Sequence, residues 1–515
     1  MLLPAAVLAT VILFVDLYPG VVAQHPSPNS STLPTVRLDH GIFVGNRNGS
    51  VHNFLGIPFA LPPTGDRRFR LPEPNLPYNG TYNATAFGDS CPQQSSQIII
   101  PNDEAAQAFN DYALSAVGSV NNTESEDCLH VNVWAPANAT AGLKLPVLVW
   151  IFGGSFEIGT AAGFNGGVVV QRSLDLGTPV IYVNMNYRLS LFGFLGGEEV
   201  KAAGVGNLGL QDRNHEGLFR GAIMQSGSPE PLGDITRNQH DYDTVVNETG
   251  CANADDTLQC LRGVSYQSLQ AAANKSTGFI SMKSLNLVWG PRVDGVFLKD
   301  DPHVLIQKKD VANVPFITGN CDDEGTLPSL ALTNISTDQE TRDYMSSNYL
   351  PKASAEQIDQ LLELYPADPA MGSPFGTGDN NTVTPQYKRI AALQGDLLLQ
   401  GLRRFFLANL SDKQNAWSYS FKRGKSKPIL GSYHTSDLNG IYDSVVGSEL
   451  KDFIIRFAVN LDPNSGSTVY WPKYTPESPK LMTLLDGPVP LNITDDDYRK
   501  EAMEYGINLM LEFPM

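Results

Sequence analysis

The chain has 515 residues, 42% of them hydrophobic and 17% charged, with a formal net charge of −18. Such a length and balance suit one large globular α/β domain rather than a disordered chain. The acidic surface excludes phosphate backbones and anionic membranes as natural partners, so no nucleic-acid partner is expected.

The chain opens on an apolar run, Leu2 to Val15, followed by Val21-Val22-Ala23, a small-residue site suited to signal-peptidase cleavage before Gln24. The run is too short to span a bilayer. A signal peptide over 1–23 and no stable membrane anchor are therefore expected, although no basic residue precedes the apolar stretch, and an uncleaved anchor is the competing reading. Asn-X-Ser/Thr sequons at Asn29, Asn48, Asn79, Asn83, Asn121, Asn138, Asn247, Asn274, Asn334, Asn380, Asn409 and Asn492 exceed what average composition supplies. They predict N-glycans and a secreted, extracellular protein.

None of the five cysteines stands at zinc-ligand spacing, so no metal is expected. Export makes disulfides plausible, but spacing alone does not choose their connectivity. The stretch from Cys91 to Cys128 mixes Ile98-Ile99-Ile100, Phe109, Tyr112 and Leu114 with acidic and small residues. It reads equally as an amphipathic flap over a cleft or as a packed surface loop.

Strand-like apolar runs follow at 146–152, 179–187, 221–225, 315–319 and 416–421, each bounded by turn residues. Helical periodicity marks 387–410, 448–461 and 498–511. Strands alternating with helices predict a mostly parallel sheet covered on both faces, and no repeat or linker divides 24–515.

Particular stretches narrow the reading. Gly56-Ile57-Pro58-Phe59-Ala60 with Pro62-Pro63, Arg68 and Phe69, then Glu126-Asp127-Cys128-Leu129, Asn186-Tyr187-Arg188, Gly206 to Asp212, Gln225-Ser226-Gly227, Asp323-Glu324-Gly325-Thr326 and Trp471-Pro472 occur in that order. Together they resemble type-B carboxylesterases and lipases, the cholinesterase-like branch of the α/β-hydrolases, and the likeness to fungal lipases spans nearly all of 24–515.

The resemblance implies an α/β-hydrolase fold and a small-molecule or lipid ester as substrate, with no cofactor. Gly153, Gly154 and Ser155 correspond to the oxyanion turn, with Ser155 where many relatives carry a third glycine. Glu324 corresponds to the triad acid and His434 to the general base. Ser226 corresponds to a serine that supports the acid from behind. The pairs Cys91–Cys128 and Cys251–Cys260 correspond to the family's first two disulfides, leaving Cys321 single; in lipase members the first of these loops carries the lid.

One part is missing. No G-x-S-x-G occurs in the chain, and only Arg213-Asn214-His215-Glu216 connect Asp212 to Gly217, where relatives place a helix, a central strand, the serine-bearing elbow and the helix behind it. A central strand buries about five large side chains at roughly 1.5–3 kcal/mol each, a loss comparable with the whole stability of a domain, about 5–15 kcal/mol. It would also leave unpaired backbone on two neighbours. The chain is thus expected to be inactive, as a splice product or truncated gene model of a secreted ester hydrolase. The alternatives are a natural non-catalytic binding or adhesion protein, and an enzyme with a rearranged nucleophile.

Overall fold

A computed structural model describes residues 10–15, 33–94, 98–113, 123–213, 217–443 and 447–514, with only the backbone described for 10–15. Leu114, the sequons at Asn29 and Asn121, and the junction residues Asn214, His215 and Glu216 fall outside that set, as do most of residues 1–23.

In chain order the strands are β1 (Thr10–Val15), β2 (Thr35–Leu38), β3 (His40–Val44), β4 (Asn46–Asn48), β5 (Val51–Pro58), β6 (Asn79–Asn83), β7 (His130–Pro136), β8 (Val147–Trp150), β9 (Ile181–Met185), β10 (Phe219–Gln225), β11 (Phe316–Cys321), β12 (Ala416–Phe421), β13 (Lys480–Leu484) and β14 (Leu491–Asp495). Among the described residues they form an eleven-stranded sheet, β14-β13-β12-β11-β10-β1-β8-β9-β7-β5-β4, and a small sheet of β2, β3 and β6. From β10 to β13 neighbouring strands run parallel, as do β8 and β9, whereas the outer pairs are antiparallel.

Both faces are covered, as expected for a parallel sheet. On one side Val169 and Val170 of the helix Gly167–Asp175 and Phe453, Ile454 and Phe457 of the helix Glu449–Asn460 join the core around Trp150, Tyr182 and Trp417. On the other, Leu407 and Leu410 of the helix Gly401–Leu410 pack with Met224, Phe316 and Leu481. The α/β-hydrolase arrangement implied by the resemblance is present, but the sheet is mixed rather than mostly parallel: among the described residues, four of the ten neighbouring pairs in the large sheet run parallel and six antiparallel.

Between β8 and β10, where the missing strand is expected, stands β1. It pairs antiparallel with both neighbours, Ile12 opposite Trp150 and Val15 opposite Val147 on one side, Thr10 opposite Gln225 and Leu13 opposite Ala222 on the other. The ladder shifts register between Leu13 and Val15. Backbone groups that the short connection after Asp212 could not satisfy therefore find partners in the start of the chain.

The disulfides Cys91–Cys128 and Cys251–Cys260 are formed, and Cys321 is a buried free thiol. Inside the first loop the helix Asp103–Ala108 is capped by Asn102 and buries Ala105, Ala108 and Phe109 beside Leu327, Leu330 and Tyr433. Ile98 and Ile99 point outward. No helix among the described residues is long and apolar enough to cross a membrane.

Candidate active site

The C-terminal ends of β8, β10, β11 and β12 open into one cavity of about 690 Å³, the place where parallel sheets gather functional loops. Gly153, Gly154, Ser155, Ser226, Glu324 and His434 all line it.

After β8 the backbone turns sharply. Gly154 has φ +132°, and a Cβ there would lie 2.1 Å from the carbonyl oxygen of Ile158, so only glycine fits. Ser155 and Phe156 follow at φ +54° and +59°, an energetically costly pair for non-glycine residues. The turn leaves the N–H groups of Gly154 and Ser155 without partners among the described residues, and successive free N–H groups in such a turn form an anion-binding concavity. Behind it lies Glu157, buried, with its carboxylate accepting from the Phe279 N–H at 2.9 Å. Desolvation pushes its carboxyl up to about 8.

Glu324 sits in the turn after β11 with its carboxylate fully used. Oε1 accepts from the Ser226 hydroxyl, the Cys321 N–H at 2.7 Å and the Asn320 amide at 3.3 Å, and Oε2 accepts from His434 Nδ1 at 2.6 Å. The turn is held close to the helix Tyr387–Gly395, because a Cβ on Gly325 would meet the Ala391 carbonyl oxygen at 2.0 Å.

A parallel bridge between Asp323 and Tyr433 ties the acid turn to the histidine turn. Asp323 accepts from the Ser432 N–H at 2.8 Å and pairs with Lys425 at 2.7 Å. Burial alone would lower the His434 imidazole, but the Glu324 carboxylate, the hydrogen bond to it and the more distant Asp437 outweigh this, and the net direction is upward. The ring is 37% exposed toward the cavity. Among the described residues no hydroxyl hydrogen-bonds to it, Ser226 being turned to Glu324 instead.

The remaining motifs form clamps. Arg188 grips Asp212 through two nitrogens, at 2.6 and 2.9 Å, and both groups are buried. Arg68 holds Glu126 and donates to the carbonyls of Arg262 and Val264, beside the Cys251–Cys260 loop. Two groups were not foreseen. Asp437, buried, accepts from Tyr419 at 2.7 Å and Gln225 at 3.0 Å, joining β10 to β12. Arg213, at the junction, turns its guanidinium into the cavity over the Tyr187 ring at 4.2 Å; no sequence pattern separates an inward from an outward arginine at a loop start. No group of three or more metal-ligating side chains occurs among the described residues.

Comparisons with known proteins agree with this architecture. A secreted triacylglycerol lipase of Gibberella zeae is 37% identical over 530 aligned positions covering 92% of this chain and 89% of the relative. Lipase 4 of Diutina rugosa is 36% identical over 509 positions, covering 88% of this chain and 91% of the relative. Among solved structures, Aspergillus niger EstA superposes with a TM-score of 0.77 at 20% identity, over 94% of this chain and 99% of that one, and a PNB esterase with 0.70 at 23% identity, over 92% and 99%. The carboxylesterase family profile matches in two segments, residues 32–215 and 213–505, meeting at the short junction. On this coverage the chain belongs to the carboxylesterase family.

Proposed function

We propose that this chain derives from a secreted carboxylic ester hydrolase and, as it stands, does not hydrolyse esters, because the acid, the base and the oxyanion turn lack a nucleophile. The observation that carries this is the junction itself: four residues between Asp212 and Gly217, no G-x-S-x-G, and a His434 without a hydroxyl partner among the described residues. A nucleophile must lie within hydrogen-bond reach of its base. The alignment lengths support an internal loss. The 530 positions aligned with the Gibberella zeae lipase involve 92% of 515 residues, about 474, so roughly 56 positions of that relative have no counterpart here.

In the intact parent, a serine on the missing elbow would attack the ester carbonyl. His434 would take its proton and return it to the leaving alcohol, Glu324 would hold the imidazolium, and water would then release the acid by the same path. The Gly154 and Ser155 N–H groups would receive the negative oxygen. The names of the relatives favour a lipid ester. Sequons at the exposed Asn48, Asn79, Asn138, Asn247, Asn334, Asn380 and Asn492 favour glycosylation and secretion; cleavage before Gln24 would leave 24–515 as one domain but would also take away β1, the partner of β8 and β10.

A serine-directed fluorophosphonate is expected to leave the full chain unlabelled, and a short-chain aryl ester to remain uncleaved. Labelling of Ser155 or Ser226 would overturn the reading. Longer transcripts across the junction that restore an in-frame serine turn would establish the skipped segment as its origin.

A further inference from the structure

Arg213 is the residue that the established parts of the site do not use. Its side chain is nine-tenths buried, lines the cavity and has aromatic neighbours, the Tyr187 ring at 4.2 Å and the Phe156 ring at 5.8 Å. Among the described residues no carboxylate pairs with it. The adjacent Asp212 spends both oxygens on Arg188. Glu230 lines the same cavity, but burial pushes its carboxyl up to about 8, so near neutral pH it does not supply the missing anion.

A buried guanidinium without a counter-ion is costly to maintain. Here it stands beside the turn of Phe152 to Phe156, whose Gly154 and Ser155 line the same cavity and whose N–H groups there have no partner among the described residues. A planar fork of donors and a two-N–H concavity match one carboxylate. The rest of the wall is mixed, with apolar Ile158, Phe164, Phe279 and Leu327 beside the acidic Asp111 and Glu124. A cavity of about 690 Å³ is of the size that buries most of a small amphiphile.

We propose that the cavity of this chain binds a free long-chain carboxylic acid, its carboxylate held between the Arg213 guanidinium and the Gly154 and Ser155 N–H groups. The proposal goes beyond the absence of hydrolysis, since it assigns the altered cleft a ligand of its own and a residue that selects it.

The test is direct binding of dodecanoic acid, its methyl ester and the corresponding alcohol to the full chain at neutral pH, by calorimetry. The acid is expected to bind at least about tenfold more tightly than ester or alcohol, the increment of one good charge-assisted contact. Arg213→Gln should remove that preference while leaving the alcohol's affinity unchanged, and Arg213→Lys should keep part of it. Equal binding of acid and ester by the unmodified chain, or no binding of the acid, overturns the proposal without needing any variant. So does a folded Arg213→Gln chain that retains the preference. Ester turnover in the same samples would sink the non-hydrolytic reading alone and leave the acid preference to be judged separately.

Discussion

On the β11–β12 side of the cavity, Glu324 receives four donors, Asp323 bridges to the histidine turn, and His434 is aimed by a 2.6 Å contact. On the β8–β10 side, two strands are joined through β1, and four residues connect Asp212 to Gly217. Glu324 and His434 thus depend mostly on hydrogen bonds made on the β11–β12 side, with Ser226, after β10, donating from the other. Their 2.6 Å contact is kept beside a side of the cavity that is joined by a short connection. The contacts on one side of the cavity are thus largely independent of what fills the other.

The largest effect should come from restoring the second region. Inserting between Asp212 and Gly217 the segment that the Gibberella zeae lipase carries there should raise turnover of a short-chain aryl ester by at least about 10,000-fold, the scale on which a nucleophilic serine contributes. If the insertion folds and stays inactive, the acid–base half is not poised as its contacts imply. Next, a chain beginning at Gln24 lacks β1 and exposes the edges of β8 and β10. It should lose on the order of 5 kcal/mol, several net backbone hydrogen bonds, and melt broadly; an unchanged urea midpoint would show that the sheet closes without that strand.

A smaller change concerns Glu157, behind the oxyanion turn. Its folded value of about 8 lies above the ordinary 4.5, so its contribution to stability is fully present below about pH 4.5 and is lost as pH rises toward 8. Glu157→Gln should therefore gain on the parent by ~4 kcal/mol between pH 4 and pH 8, read from urea midpoints. On the β11–β12 side, Glu324→Gln should lower the His434 titration observed by NMR and cost ~1–2 kcal/mol. A histidine that titrates unchanged would show that the acid does not set its charge.

The central strands were readable because parallel strands buried on both faces are continuous apolar runs. The segments 146–152, 179–187, 221–225, 315–319 and 416–421 coincide with β8 to β12 within a few residues. The helical periods at 387–410, 448–461 and 498–511 coincide as well, apart from a wider turn at Asp396–Gln400. Periodicity alone did not find the outer β5, β7, β13 and β14, whose short, partly polar sequences owe their conformation to neighbours. Glu324 and His434 were singled out through flanking motifs, and the structure brings them within 2.6 Å of each other. Arg213 and Asp437 were not singled out, because inward orientation follows from tertiary packing, and nothing in the apolar run at 2–15 announces that part of it can enter a sheet.

The polarity of β1 has a consequence for any attempt at self-repair. Its first residue lies opposite Gln225, at the mouth of the cleft, and its last opposite Val147 and Phe219, at the floor of the sheet. A backbone ladder tolerates either direction of travel, whereas an elbow must leave a strand at the mouth. The inserted strand therefore mends the wall while heading away from the imidazole, and no serine grafted beyond Val15 would reach it.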